Sequence, residues 1–474
     1  MTNRCWRQEA YRSNATATSR TILAMLLALR RLRRQEAWTR RQIEEHRTAA
    51  LARLRAHAYS HSSFYREFHA GLTGRGLDEL PSLTKSMFHD HFDDIVTDPA
   101  VKRAAVAAHV QSLRGDELFL DRYIVNATSG TTGGATYIMY NRGEWATVLA
   151  SFSRFERHIG SVRGTIRRPR LAIVSTSTPW YMSARVGASA QSSLVPMLRL
   201  DVGEPLDTIV QKLNGWQPQV LATYASMAGI LADEQTSGRL QIAPQRIVCT
   251  SEVLSSALRQ RVQAVWGDIV YDQYGATEGG AFAAECRSRY RAPDDADGHT
   301  RGLHLFEDLY IFEVVDEHNH PVPPGQYGDK VLLTVLFNHT LPLIRYELTD
   351  SVRMATAPCS CGRAFSLIAD IQGRREEVLR FPGRGGGTVA VHPMVFYRIF
   401  DAIPVAGWQV VQERTLLSLC LAEGTDRIDE QALINAVRDA LERLDAVAPA
   451  IAVQWTTDVE RGATGKAARI VSRQ

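Results

Sequence analysis

The stretch Tyr123-Ile124-Val125-Asn126-Ala127-Thr128-Ser129-Gly130-Thr131-Thr132-Gly133-Gly134-Ala135-Thr136-Tyr137-Ile138-Met139-Tyr140 decides how this chain reads. Its β-branched and aromatic ends predict strands over 123–125 and 137–140. Between them, Thr128 to Gly134 holds three glycines and four hydroxyl residues. Glycine permits positive φ, which turns successive backbone N–H groups inward and forms a concave anion site. The hydroxyls can donate to phosphate oxygens. Gly-Lys-Ser/Thr is absent and no helix clearly follows, so this is not a Walker loop. Taken alone, the run is equally compatible with an ordinary loop.

Outward from that stretch, short β-branched runs at 171–174, 220–223, 246–250 and 269–271 alternate with helix-period segments. That alternation predicts an α/β core with parallel pairing. Residues up to about 110 read as helices with loops, and Leu77 to Pro81 followed by Thr84-Lys85 reads as a turn leading into a helix. Strands over 309–315 and 330–337, joined by the turn-rich 321–328, predict a β-rich subdomain. Beyond the glycine-rich 383–387, strand-like 408–411, 416–421 and 451–455 surround a helix with Leu433, Val437, Leu441 and Leu444 on one face. The expected fold class is α/β: a large N-terminal α/β body with a β-rich subdomain (1–373, helical over 1–110), a hinge (374–378), and a small mobile C-terminal α+β domain (379–474).

The chain has 474 residues, 45% hydrophobic and 22% charged, with a net charge of +4. These values suit a soluble globular protein and argue against disorder, collagen or a membrane bundle. The small imbalance implies no nucleic-acid coat. Arg30, Arg31, Arg33, Arg34, Arg40 and Arg41 crowd one stretch, beside Leu23, Leu26, Leu27, Leu29 and Leu32. This predicts amphipathic helices with a solvated basic face; an anionic partner is the other reading. The apolar run 22–29 falls far short of the ~20 residues that cross a bilayer, so neither signal peptide nor anchor is read. Six cysteines in this length are no disulfide framework, and a reduced cytoplasm is expected.

Three more motifs follow the first. Tyr274-Gly275-Ala276-Thr277-Glu278 sits at the end of the expected 269–271 strand. A carboxylate beside a hydroxyl there suits a Mg²⁺ ion carried by a nucleotide, since magnesium takes one or two carboxylates plus phosphate oxygens. Arg345-Tyr346-Glu347-Leu348-Thr349-Asp350 offers an aspartate that could accept both ribose hydroxyls, with Gly373-Arg374 at a later strand end. Thr464-Gly465-Lys466 lies near the C-terminus. Each is weak alone.

Together and in this order they resemble the adenylate-forming superfamily of acyl-CoA synthetases, luciferases and peptide-synthetase adenylation domains, and within it the phenylacetate–CoA ligase family. The resemblance runs from about residue 65 to the end. It includes Ala56-His57-Ala58-Tyr59 with Phe64-Tyr65, and Leu80-Pro81-Ser82-Leu83-Thr84-Lys85. It implies that Ser129, Gly130, Thr131, Thr132 and Gly133 cradle the ATP phosphates, with Thr131 counted among the catalytic groups. Glu278 would hold Mg²⁺, with Thr277 beside it, and Tyr274 would flank adenine. Ser251 and Glu252 would line the adenine pocket, Asp350 would bind ribose, and Arg374 would precede the hinge that contains Glu376 and Glu377. Lys466 would approach the α-phosphate and the acyl carboxylate. The acid would lie near Tyr224, Ala225, Gly275 and Ala276, a setting that suits a flat aryl carboxylate; a core tyrosine with no ligand is the other reading of Tyr224.

The implied reaction is ATP-dependent formation of an acyl-adenylate, then acyl transfer to coenzyme A. Transfer to an amine or carrier protein is the alternative within the class; an inactive nucleotide-binding interaction protein is the alternative outside it. Gly134 stands where the family often has lysine, and Glu347-Leu348-Thr349 replaces a more basic stretch. The long glycine run 383–387 lies where relatives meet the acceptor. No nucleic-acid or membrane partner is expected, and a homodimer is left open.

Cys286, His304, Cys359 and Cys361 form a candidate Cys₃His zinc set; reduced loop cysteines with an unrelated histidine are the other reading. The pattern also resembles cysteine and histidine positions of the phenylacetate–CoA ligase family. Cys249 and Cys420 are expected in the core and Cys5 in a flexible terminus. His57, His299, His318, His320 and His339 read as surface or loop residues.

Overall fold

A computed structural model describes residues 15–128, 135–159, 169–191, 196–252, 254, 256–288, 302–372, 379–391, 394–400, 403, 405, 407–422, 428–456 and 470–473. The 129–134 loop, the 374–378 hinge with Arg374, Lys466, His299 and Cys5 lie outside the described residues.

A nine-stranded sheet organises the body. Its order is Ser351–Met354, Leu367–Gln372, Leu303–Leu305, Gly280–Glu285, Val270–Ala276, Arg246–Thr250, Val220–Thr223, Leu171–Ser175 and Met197–Asp201. The last five pair in parallel, and every pair from Val270–Ala276 back to Ser351–Met354 is antiparallel. The parallel half is linked by amphipathic helices. Leu206–Trp216, for example, buries Ile209, Val210 and Leu213 at helical spacing. The β-rich subdomain is a three-stranded antiparallel sheet of Tyr310–Val315, Lys330–Val335 and Tyr346–Leu348. The opening stretch forms the hairpin Tyr123–Ala127 with Tyr137–Asn141, in which Ala127 faces Tyr137.

The helical N-terminal part packs onto this frame. Thr39 caps the helix Arg40–His61 through a reciprocal capping box with Gln42. Thr84 caps Lys85–Asp90 by accepting from the Met87 N–H, the turn-into-helix expected there. Leu83 exchanges backbone hydrogen bonds with Arg345 (2.9 Å) and Glu347 (3.0 Å), so the Leu80–Lys85 motif lies alongside the strand that leads to Asp350. The buried Tyr65 hydroxyl donates to the Pro342 carbonyl (2.9 Å) and accepts from the Ile344 N–H (3.2 Å).

The C-terminal segment forms a sheet ordered Ala450–Thr456, Leu416–Ala422, Gly407–Gln412, Ile470–Ser472, covered by Glu430–Arg443, which buries Leu433, Val437 and Leu441. Before it, the hairpin Leu379–Pro382 with Thr388–Val391 turns at the glycine run. No helix among the described residues is long and apolar enough to cross a membrane.

Several expectations need correction. The strand expected over 269–271 runs from Val270 to Ala276, because its edge is paired with Gly280–Glu285. Cys420 is half-buried rather than core, with Gln454 facing it in the register. His57 is no isolated surface residue: it stacks on His61 with centroids 4.2 Å apart and meets His339 edge-on at 5.1 Å. In the helix Ala15–Gln35, Leu29 and Leu32 are buried, but Leu23, Leu26 and Leu27 are exposed. Their i, i+3, i+4 spacing places them on the opposite face.

Candidate active site

The parallel strands Leu171–Ser175, Val220–Thr223, Arg246–Thr250 and Val270–Ala276 end along one edge of the sheet. The winding direction reverses at Leu171–Ser175, whose neighbours are Met197–Asp201 on one side and Val220–Thr223 on the other. Open α/β sheets bind ligands outside the carboxyl ends at such a reversal. There the Thr176 N–H donates to the Tyr224 hydroxyl (3.1 Å), with the Ser183 hydroxyl 3.3 Å away. Tyr224 and Ala225 are buried at the start of Ala225–Thr236. Gly275 and Ala276 lie two strands along the same edge and are half-buried. Between them, Ser251 takes a φ of +70° at the end of Arg246–Thr250, with the half-buried Glu252 next. A left-handed non-glycine residue carries a backbone cost of the kind that gathers at ligand-binding turns.

Thr277 and Glu278 ride on the turn between Val270–Ala276 and Gly280–Glu285. Glycine is required here: a Cβ at Gly275 would lie 2.4 Å from the Gly280 carbonyl oxygen, and Gly280 itself has φ +94°. Two tyrosines hold the turn by its carbonyls. Tyr140 donates to Thr277 (2.8 Å) and Tyr310 to Gly279 (2.6 Å). Burial pushes both phenols well above their ordinary pKa, so both remain donors. Glu278, on this packed turn, is buried.

Tyr140 belongs to the strand that emerges from the 129–134 loop. The neck of that loop is closed by the Thr128 N–H to the Thr136 carbonyl (3.0 Å) and the Thr136 N–H to the Thr128 hydroxyl (3.2 Å). His89 Nε2 sits 2.8 Å from the Thr136 hydroxyl. The first motif is therefore anchored directly to the second.

The third motif joins them through Tyr274, whose hydroxyl donates to Asp350 Oδ2 at 2.8 Å. Asp350 lies in the turn between Tyr346–Leu348 and Ser351–Met354, and the Tyr274 ring is held edge-on by Phe282 at 5.4 Å. The acidic departure at Glu347 is paired with Lys330 (2.9 Å) and accepts a hydrogen bond from the Ser82 hydroxyl (2.8 Å). Arg345 faces away from the site: it ion-pairs with Glu313 (3.1 Å) and donates to the Leu80 carbonyl.

Under the site, the Arg259 guanidinium pairs with the buried Glu285. Burial, together with the nearby Glu285 charge, raises the Asp272 carboxyl to about 7, and Arg259 offsets this only in part.

The four candidate zinc ligands converge. Cys286 follows Gly280–Glu285, and His304 lies on the adjoining Leu303–Leu305. Cys359 and Cys361 sit on the loop before Leu367–Gln372, whose Leu367 faces His304. Their ligand atoms all lie within 4.8 Å of one another, the only such cluster among the described residues. Cys286 and Cys359 sulfurs are 3.5 Å apart, and Cys361 Sγ is 3.2 Å from His304 Nε2. Tetrahedral zinc bonds of about 2.3 Å to sulfur and 2.0 Å to nitrogen give ligand spacings of about 3.5 Å, so the donor set fits. Desolvation lowers the His304 pKa, but its bonds to Cys286 and Cys361 outweigh that and raise it to about 9. Burial opposes ionisation of Cys361, yet His304 and backbone donors bring it to about 7.

Sequence reasoning missed Tyr140, Tyr310, His89 and Thr176. Tyr140 stands inside the opening stretch, but nothing there says which carbonyl its hydroxyl meets.

No family model matches the chain. It is 26% identical over 438 residues to a phenylacetate–coenzyme A ligase of Thermus thermophilus, covering 87% of this chain and 88% of that one. It is 25% identical to a phenylacetate–coenzyme A ligase of Aromatoleum evansii, covering 74% and 78%. A solved structure of 2-hydroxyisobutyryl-CoA ligase in complex with 2-HIB-AMP and CoA in the thioesterification state shares the fold, with a TM-score of 0.57, 21% identity and 90% of each chain covered. The chain is thus similar along most of its length to two curated phenylacetate–coenzyme A ligases and shares the fold of a solved acyl-CoA ligase.

Proposed function

We propose that the chain activates a carboxylic acid, of the aromatic class, as an acyl-adenylate at the expense of ATP, and then transfers the acyl group to coenzyme A. The observation that carries this is the Tyr274–Asp350 hydrogen bond (2.8 Å) beside a turn that Tyr140 ties to the phosphate-loop hairpin. Three motifs, weak alone, are thereby tied to one another by side-chain hydrogen bonds. The names of the curated relatives and the adenylate and CoA in the solved neighbour support the same reading.

In the first half-reaction a carboxylate oxygen bonds to the α-phosphorus and the bond to pyrophosphate breaks. Two anions must approach, so positive charge and aimed N–H groups have to offset the charge that develops. Glu278 would hold Mg²⁺, which when bound neutralises phosphate charge. The 129–134 loop supplies N–H and hydroxyl donors, with Thr131 against the phosphates. Asp350 accepts the ribose hydroxyls while Tyr274 fixes the carboxylate and flanks adenine. Ser251 and Glu252 line the adenine edge. Tyr224, Ala225, Gly275 and Ala276 bound the acid, and Lys466 bridges carboxylate and α-phosphate. In the second half-reaction the thiol sulfur bonds to the acyl carbon and AMP leaves. Reorientation of 379–474 about 374–378, next to Arg374, would exchange the groups at the site between steps.

Cys286, His304, Cys359 and Cys361 would hold a structural Zn²⁺ closed to water by four protein ligands. The free thiols suit a reducing cytoplasm.

Acid-dependent exchange of labelled pyrophosphate into ATP, over a panel of aryl and alkyl acids, tests the reading. Exchange is expected with one class of aryl acid, followed by thioester formation on adding coenzyme A. Exchange without a thioester, but with product from an added amine, would replace the acceptor. No exchange with any acid would defeat the proposal.

A further inference from the structure

The helix Ala15–Gln35 presents a face that the adenylation chemistry does not use. At 3.6 residues per turn, Leu23, Leu26, Leu27, Arg30 and Arg34 fall on one side. Leu29, Leu32, Gln35 and Glu36 fall on the other and are buried against the body. The outward leucines are 60%, 49% and 61% exposed. Large apolar side chains grouped this way, rather than scattered singly, mark a surface that meets something. The adjoining residues decide what. Arg30, Arg31, Arg33 and Arg34 are all exposed, and the helix contains no aspartate or glutamate.

We propose that this face rests on an anionic phospholipid surface, with the three leucines entering the acyl boundary and the arginines at the headgroup phosphates. Shape and charge favour this occupant. The stripe lies on the convex side of a single helix, with three leucines as its apolar core, far less than the roughly 800 Å² per partner of a standard protein interface. A lipid surface needs no matching relief. A second copy of this chain would bring the same arginines and no acid from this helix to meet them. Arg31 and Arg33 flank the leucine line on its two sides and Arg30 and Arg34 continue it, so basic side chains border the apolar patch where headgroup phosphates would lie. The helix would lie on the membrane rather than cross it, in keeping with its length and apolarity.

Co-sedimentation of the full chain with vesicles of equal phosphatidylglycerol and phosphatidylcholine tests this, beside vesicles of phosphatidylcholine alone. Binding is expected to the mixed vesicles only and is expected to fall with salt. Leu23→Ser/Leu26→Ser/Leu27→Ser should weaken it about tenfold or more, and Arg30→Glu/Arg34→Glu about thirtyfold or more. Both variants alter exposed residues and should leave pyrophosphate exchange unchanged. Absence of binding to mixed vesicles, or equal binding by the serine variant, would overturn the proposal. So would a dimer in solution that the serine variant dissolves, which assigns the face to a second copy. Retention on polyglutamate without vesicle binding would assign it to an acidic protein and overturn it as well.

Discussion

The Tyr274 hydroxyl spends its one proton on Asp350, and the ring stays packed on Phe282 whether or not that proton is present. Tyr274→Phe therefore removes one charge-assisted hydrogen bond and little packing. At about 1.5 kcal/mol for such a bond, the KM for ATP in the exchange assay is expected to rise roughly tenfold, with kcat changed much less and the melting temperature within a degree or two. A collapse of kcat at unchanged KM would show that Tyr274 acts on the reacting groups instead. At this scale the sequence made Tyr274, Glu278 and Asp350 visible, because each sits in a short motif with a turn signal. Tyr140 and Tyr310 were invisible for a physical reason. In strands of buried residues a tyrosine reads as filler, and only the fold reveals that both hydroxyls end on the carbonyls of one turn.

Among the elements, Gly280–Glu285, Leu303–Leu305 and Leu367–Gln372 meet where the zinc ligands gather, and Leu303–Leu305 is only three residues long. A strand so short contributes few ladder bonds, so a metal tied to His304 would hold this side of the sheet in register. Purified protein is expected to contain about one zinc per chain. Cys359→Ser should lose the metal and unfold at lower temperature by several degrees, and chelator should do the same to the wild type. A metal-free, fully folded wild type would end the zinc reading. The β-branched runs at 171–174, 220–223 and 246–250 were legible as strands because their own composition demands burial. The continuation to Ala276 was not, since Tyr-Gly-Ala is a turn-like sequence that becomes strand only through pairing with Gly280–Glu285. The hairpin at 379–391 was likewise hidden by its glycines. Gly386 and Gly387 take positive φ in its turn, and the turn is tied to Asp445 by the Arg384 N–H (2.9 Å).

Over the whole molecule, the N-terminal helices are fastened to the body by charge. The fully buried Arg154 donates to both oxygens of Asp308 (2.8 and 3.0 Å) and to Glu36 (2.9 Å), between the rings of Phe306 and Phe365. Glu307 receives Arg40 (2.7 Å) and Arg47 (3.1 Å) nearby. Removing one partner of a buried pair strands the other charge, so Asp308→Ala is expected to cost about 3–5 kcal/mol of stability in denaturant unfolding. A loss below 1 kcal/mol would mean that Glu36 alone satisfies Arg154. No local pattern announces such a fastening, because Glu36, Arg154 and Asp308 lie more than a hundred residues apart. The C-terminal unit is attached differently. A single apolar cluster runs from Leu213, Leu221 and Ile247 beneath the parallel strands to Leu379, Phe381, Val410 and Leu419. Swinging that unit would wet apolar surface, and wetted apolar surface raises heat capacity. The equilibrium between orientations is then a curved function of temperature, and cooling weakens the apolar contact. If, as proposed, adenylation and acyl transfer draw on different orientations, the two steps need not share a thermal optimum.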